Sequence, residues 1–595
     1  MQKTKDGLSQ HARSIVVRLV RKGPMGYMRC LLALCAAVWS LAGCANAAEY
    51  DLAHRWLFVM RNLDRPENVA STLALLPRAR EAGYNAIVLS DGNLSRLDHV
   101  DASYRENLLT LQREAKHHGL DLIPCVMPIG YSGAILSVDP NLAEGLPVKD
   151  ATFVVDDGRA VLRPGSEATL PGGSFEDVDG DTFAGWDWQD NAGKSIFADH
   201  DVVHGGRTSV RMENIPQASP EHGHCRFSRT VTVSPFRQYR LSVWLKTQDF
   251  EAPQTAKISI LAPTEQERSI SFAEFEIEPT QDWTEYSFVF NSLNWEKVRL
   301  YFGTWEGKEG RIWWDDMVLE EVGLLNVLRR DGCPISVRGA DGAVYTEGVD
   351  YQPLRDPQLS PYRVDHTPPP IILTEGSRIP EGAQLLASYY HPINIGQWQV
   401  MCCLSDPKVY DILRDQVQRV EDLLHPDAFF MQHDEIRVGN WDKACQDRHL
   451  TPGELLADNA RKCTRIIRDI DPKAKIWVWS DMFDPNHNAV DNYYLVNGTW
   501  AGSWEGLDPD VGIVNWANHL KGTNLKWFAD RGQEQVLAGY YDNDEWVIEE
   551  WLATGKDLPG ITGAMYTTWT DDYSDMEAWA KADWGGDNPT GSETR

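Results

Sequence analysis

From Arg55 onward, short apolar runs alternate with stretches whose apolar residues recur at helical spacing. The runs Trp56 to Arg61, Asn85 to Leu89 and Leu122 to Val126 are separated by helices expected near 67–81 and 104–118. Continuous apolar runs of this length suit strands buried on both faces, and their alternation with helices predicts βαβ units in a parallel sheet. Between about Gly165 and Val322 the period changes. Ala256 to Leu261, Trp283 to Phe290 and Arg311 to Leu319 alternate polar and apolar residues, the pattern of half-buried strands in an all-β sandwich. A strand-rich stretch, Pro334 to Tyr351 and Leu385 to His391, leads back to the α/β pattern.

A helix follows, with Ser405 as its cap, Pro407 in its first turn and Val409, Ile412, Leu413, Val417, Val420 and Leu424 on one stripe. After the strand Phe429 to Met431, Thr451-Pro452-Gly453-Glu454 announces another helix through capping-box spacing and a proline at the first helical position. Four more strands are expected at Lys475 to Trp479, Gly512 to Trp516, Gln535 to Tyr541 and Thr562 to Trp569. With Leu385 to His391 set aside as a loop extension, three barrel strands precede the sandwich and five follow it. The expected fold is α/β: a (β/α)8 TIM barrel with an all-β jelly-roll sandwich inserted after the third strand, where loops vary while the barrel stays fixed. The expected divisions are an export signal (1–47), the first part of the barrel (48–164), the sandwich (165–322), a strand-rich connection (323–404), the second part of the barrel (405–585) and a disordered tail (586–595).

At 595 residues the chain is too long for a single hydrophobic core. The net charge of -30, without a Lys/Arg stripe, argues against nucleic acid and polyanionic surfaces as partners. The expected partner is neutral or weakly charged, as an oligo- or polysaccharide is. Its 23 Trp and 20 Tyr suit stacking on sugar rings, although they serve ordinary cores equally well. No phosphate-cradling glycine loop and no Gly-x-Ser-x-Gly motif stand out, which argues against hydride-transfer and esterase chemistry.

Arg18, Arg21, Lys22 and Arg29 precede the apolar run Leu31 to Leu41, which is too short to span a bilayer and reads as a cleaved export signal. Two cleavage sites compete there. Leu41-Ala42-Gly43-Cys44 resembles a bacterial lipobox, which makes Cys44 a lipid anchor and the only membrane contact, with Ala45 suiting the outer membrane; Ala45-Asn46-Ala47 instead gives a secreted or periplasmic protein. The seven later cysteines are odd in number and lack CxxC or paired Cys/His metal spacing, while Cys445 and Cys463 flank one helix start. Export permits disulfides.

In such barrels the active site lies at the C-terminal strand ends. Those ends carry Arg61, Asp91, His433, Asp434 and Glu435, Trp479 and Asp481, Trp516, Tyr540 and Asp542, then Trp569 and Asp571. An apolar strand ending in Gln432-His433-Asp434-Glu435 sets two adjacent carboxyls where burial is expensive, so that one can carry the raised pKa a general acid needs.

The sandwich segment opens with Gly173-Ser174-Phe175-Glu176 and closes with Trp314 to Leu319, which resembles the ends of carbohydrate-binding modules of families 4, 9 and 22. That resemblance implies a structural calcium held by Glu176 with Asp315 or Asp316; ordinary surface acids are the equal alternative. No cofactor is expected for catalysis.

The barrel resembles glycoside hydrolase family 20 and its clan K relatives, the β-N-acetylhexosaminidases, in which Asp-Glu ends the fourth strand. The resemblance implies that Glu435 protonates the leaving oxygen while Asp434 orients a substrate 2-acetamido group as nucleophile. It also makes Tyr540 the holder of the acetamide, Arg61, Asp542 and Asp571 sugar-hydroxyl ligands, and Trp479, Trp516 and Trp569 pocket walls. His433 directly precedes Asp434, unlike the family's His-x-Gly-Gly-Asp-Glu, and the third-strand Pro-Gly-His pattern is absent, which marks a distant relative.

Plainer roles are also open. Asp434 and Glu435 can pair with Arg437, Arg61 can neutralise nearby acids, the tryptophans can fill the barrel, Asp481 can cap the next segment, and His433 suits a supporting hydrogen bond better than metal ligation. Two other functions fit as well: a two-carboxylate glycosidase using Asp481, Asp542 or Asp571 with Glu435, and a non-catalytic glycan-binding lipoprotein.

Overall fold

The computed structural model describes residues 52–584 apart from 166–169, 265–266, 397, 540–541 and 543–546. The export signal with Cys44, the C-terminal tail and Tyr540 lie outside the described residues. Eight parallel strands close into a barrel in the order His54–Met60, Ala86–Ser90, Asp121–Val126, Ala428–Met431, Lys475–Trp479, Gly512–Asn515, Gln535–Leu537 and Ile561–Tyr566. The chain is therefore a TIM barrel, with three strands before the inserted residues and five after. Its interior is filled by inward side chains, among them Trp56, Phe58, Val88, Phe430, Trp477, Trp479 and Met565, so it is a packed core and not a pore.

Around it run Pro66–Glu81, Ala102–His117, Pro407–Leu424 and Pro452–Ile470. The last carries the expected capping box: the Thr451 side chain accepts from Glu454 N, and Glu454 reaches back to Thr451 N. Pro407–Leu424 is capped by Asp406, which accepts from Lys408 N, and not by Ser405.

The inserted sandwich has two five-stranded sheets. One orders Gln281–Asn291, Gln238–Gln248, Arg311–Val322, Ser209–Met212 and Ile196–Asp199; the other orders Ser269–Glu274, Ala256–Leu261, Lys297–Thr304, Cys225–Thr232 and Trp188–Gln189. Phe227 and Phe302 stack 4.8 Å apart on the second sheet, with Phe175 and Trp314 packed against Phe302.

The expected boundaries change at one place. Leu146–Asp156 and Arg159–Leu162 do not belong to the first part of the barrel; they join Ser336–Gly339, Val344–Tyr345, Ile371–Ile372 and Gln384–His391 in a separate six-stranded sheet. Leu385 pairs with Phe153 and Tyr389 with Val148 across that sheet, over a core that includes Phe153, Tyr351 and Tyr389. The strand-rich connection is thus half of a third layer, whose other half precedes the sandwich in sequence.

Candidate active site

The fourth strand, Ala428–Met431, is apolar because it is buried on both faces. The chain leaves it through Gln432, and Asp434 lines a pocket of about 1020 Å³ at the C-terminal mouth of the barrel. Phe58, Trp479 and Trp569 form one wall, with Trp569 5.5 Å from Phe58 and 6.1 Å from Trp479 between ring centres. Tyr131, Tyr362 and Trp398 form another, and Arg61, Asp91 and Gln432 add polar groups.

The loop after the third strand closes tightly on Asp434. Ile129 N donates to Gln432 O at 2.9 Å. A Cβ on Gly130 would lie 1.9 Å from Asp434 O, so only glycine fits there.

The two adjacent carboxyls have different surroundings. Glu435, at φ 49°, accepts from Tyr131 Oη at 2.7 Å, from Gln399 Nε2 at 3.1 Å and from Arg437 Nη2 at 3.0 Å. Arg437 also donates to Gln399 Oε1 and lies over the rings of Phe272, from the sandwich, and Tyr494. Asp434 faces the pocket without such a set of donors. Burial, and then the neighbouring Asp481 and Glu435 charges, push its carboxyl well above the ordinary range.

The other expected site residues divide. Arg61 reaches the pocket and donates to Asp571 Oδ1 at 2.7 Å, beneath the Tyr573 ring. Asp91 lines the pocket but spends its oxygens on Leu63 N, Asn93 N and Tyr104 Oη, and burial raises its pKa. Trp479 is both core and pocket wall, and Trp569 stands exposed at the rim. Asp542 accepts from Thr570 Oγ1 at 2.7 Å and from Trp569 N at 2.8 Å, which holds the Trp569 loop.

Three of the expected residues do not line the pocket, and of these His433 makes the supporting hydrogen bond expected of it. Asp481 is fully buried beneath Glu435; it accepts from Glu435 N at 2.9 Å, Asn488 Nδ2 at 2.8 Å and Trp516 Nε1 at 3.3 Å, so it positions the strand end and does not touch the pocket. Burial raises its pKa to about 6 against those donors. Trp516 follows Asp481 and does not line the pocket. His433 turns away to Asn459 Oδ1 at 3.0 Å, and burial lowers it to about 4, which keeps it neutral.

Glu176, Asp315 and Asp316 all reach one loop. Glu176 accepts from Arg207 N and Thr208 N, Asp315 from His204 N and Gly205 N, and Asp316 meets His204 Nδ1 at 2.7 Å. Their oxygens tie down that loop.

Sequence reasoning missed Tyr131, Gln399 and Trp398. Tyr131 follows a strand end, a signal that was available; the other two lie in the aperiodic connection and had none. It also missed a second, open groove of about 660 Å³ on the sandwich, lined by Trp188, Arg226, Lys257, Arg299, Tyr301 and Trp305.

Residues 168–309 match a family model described as a carbohydrate binding domain. No curated protein matches the chain. Among solved structures, a Flavobacterium johnsoniae chitobiase is similar at 9% identity and TM-score 0.36 over 90% of this chain and 48% of its own. A rhamnosidase from Novosphingobium sp. PP1Y is similar at 12% identity and TM-score 0.31, over 88% and 56%. A family 4 carbohydrate-binding module is similar at 15% identity and TM-score 0.19, over 26% and 99%. The chain thus spans about half the length of the two enzymes.

Proposed function

We propose that the protein is an exported glycoside hydrolase whose barrel pocket cleaves a glycan that the sandwich helps to hold. The observation that carries this reading is the aromatic-walled pocket at the strand ends with Asp434 facing into it and Glu435 beside it. Flat walls suit sugar rings, and a half-buried carboxyl pair suits proton transfer to a glycosidic oxygen. Glu435 acts as general acid, and Asp434 orients a 2-acetamido nucleophile. The engagement of the other acids favours this substrate-assisted route: Asp481 lies under Glu435, Asp542 holds the Trp569 loop, and Asp571 pairs with Arg61. A two-carboxylate route would take one of them as nucleophile or base.

One observation favours a second reading in which the roles exchange. Asp434, and not Glu435, lines the pocket, and its surroundings favour the protonated form. Aryl glycosides with graded leaving groups, including N-acetylglucosaminides and plain glucosides, distinguish the two when assayed with Glu435→Gln and Asp434→Asn. The variant lacking the acid loses most on poor leaving groups and least on good ones, because a good leaving group needs no proton. Turnover confined to the 2-acetamido sugars supports the substrate-assisted route, and turnover of plain glucosides counts against it. A wild-type chain that cleaves no glycoside while still binding glycan would overturn the enzymatic reading. Export, and lipidation at Cys44, are tested by fractionation and fatty-acid labelling of a Cys44→Ser chain beside the wild type.

A further inference from the structure

Away from the pocket, four buried side chains from three separate segments converge: Glu144, Cys403, Asp442 and Cys445. One ligand atom from each lies within 4.8 Å of all the others. Glu144 follows the barrel's third strand, just before the inserted residues. Cys403 lies where the chain returns from them, and Asp442 and Cys445 stand in the loop that continues from Glu435. The first two segments are joined by Glu144 N to Met401 O and Cys403 N to Leu142 O, each at 2.8 Å.

The spacing is that of a coordination shell. Cys403 Sγ and Cys445 Sγ are 3.7 Å apart, and Cys445 Sγ is 3.5 Å from Glu144 Oε2. With zinc bonds of about 2.3 Å to sulfur and about 2.0 Å to oxygen, the edges of a tetrahedron are about 3.8 Å for S···S and about 3.5 Å for S···O. A disulfide needs about 2.05 Å between its sulfurs. The remaining bonds hold the ligands in orientation, as outer-shell partners of metal sites do: Glu144 Oε1 accepts from Trp441 N, Asp442 Oδ1 from Cys445 N, and Asp442 Oδ2 from Arg330. Arg330 is the cation bonded to this cluster, and the Cys333 thiol lies beside it. Two carboxyls and two thiols in so dry a place must hold protons or face a cation.

We propose that Glu144, Cys403, Asp442 and Cys445 form a structural zinc site that fastens both ends of the inserted segment to the loop bearing Glu435. Four protein ligands close the shell, so the metal supplies rigidity and no catalytic water. Thiolate with carboxylate is a donor set that borderline zinc accepts, and binding releases the protons the site holds.

The test uses the full chain purified with a thiol reductant, loaded with zinc and desalted. Elemental analysis should find about one zinc per chain that Cys403→Ser with Cys445→Ser removes, and a chelator should lower the wild-type melting temperature. If the double variant does not fold, cobalt loading of the wild type decides: thiolate ligation gives a sulfur-to-cobalt charge-transfer band. No retained zinc and no such band would overturn the proposal. So would recovery of Cys403 and Cys445 as one disulfide-linked peptide from chain isolated without reductant.

Discussion

The barrel pocket and the sandwich groove both present aromatic side chains to solvent, yet they differ in what surrounds them. In the pocket, Trp479 and Trp569 stand beside acids dry enough for Asp434 and Asp91 to be pushed upward. In the groove, Trp188 and Trp305 stand among Arg226, Lys257 and Arg299 on an open sheet face, where charged side chains remain hydrated. Stacking alone recognises a ring, but moving a proton requires a carboxyl held at the edge of burial. On the proposed function, the same aromatic chemistry serves two ends according to the depth of its setting.

The sharpest way to break this comparison is at the carboxyl pair. Glu435→Gln and Asp434→Asn should each lower kcat/KM by about 10²- to 10⁴-fold, with retention on glycan affinity gels unchanged. Equal losses of activity and retention would mean that the regions do not divide the work.

Asp481 gives the next effect. Its folded pKa of about 6 exceeds the unfolded value of about 4, so the native state binds the extra proton and stability from this group is full below about pH 4. It is lost as pH rises through 6, by about 3 kcal/mol in order of magnitude. Urea unfolding of wild type and Asp481→Asn across this range should show a steeper fall in wild type by that amount, because burial also raises Asp484 and Asp315 in both chains; parallel curves would assign the titration to another group.

On the sandwich side, Trp188→Ala should weaken glycan retention by about tenfold, near the upper worth of one aromatic contact. Hydrolysis of a small aryl glycoside should not change. If it falls, the groove shapes the pocket and the two are one site.

The smallest effect lies outside both regions. Thr451→Ala removes the capping box of Pro452–Ile470 and should cost about 1 kcal/mol, read from the unfolding midpoint. Neither pocket nor groove should respond.

Much of the fold was legible along the chain. Lys475–Trp479 and Ala256–Leu261 occupy the expected residues, and the eight-strand count holds. Periodicity is local, set by which face of an element meets the core, so a short window of residues reports it. The Asp434-Glu435 pair was legible for a related reason: two acids at the end of a buried strand conflict with their surroundings in a way visible without coordinates.

Only the tertiary structure decided the rest. Phe153 and Leu385 pair across a long stretch of intervening chain, and no local signal links them. Tyr131 and Gln399 come from distant segments to meet Glu435, while Asp481 turns beneath it. The four-residue cluster at Cys403 and Cys445 has no single sequence spacing, because its side chains gather from three segments. Sequence determines which surfaces each element must bury; packing determines which distant side chains then share a point, and that sharing makes a site.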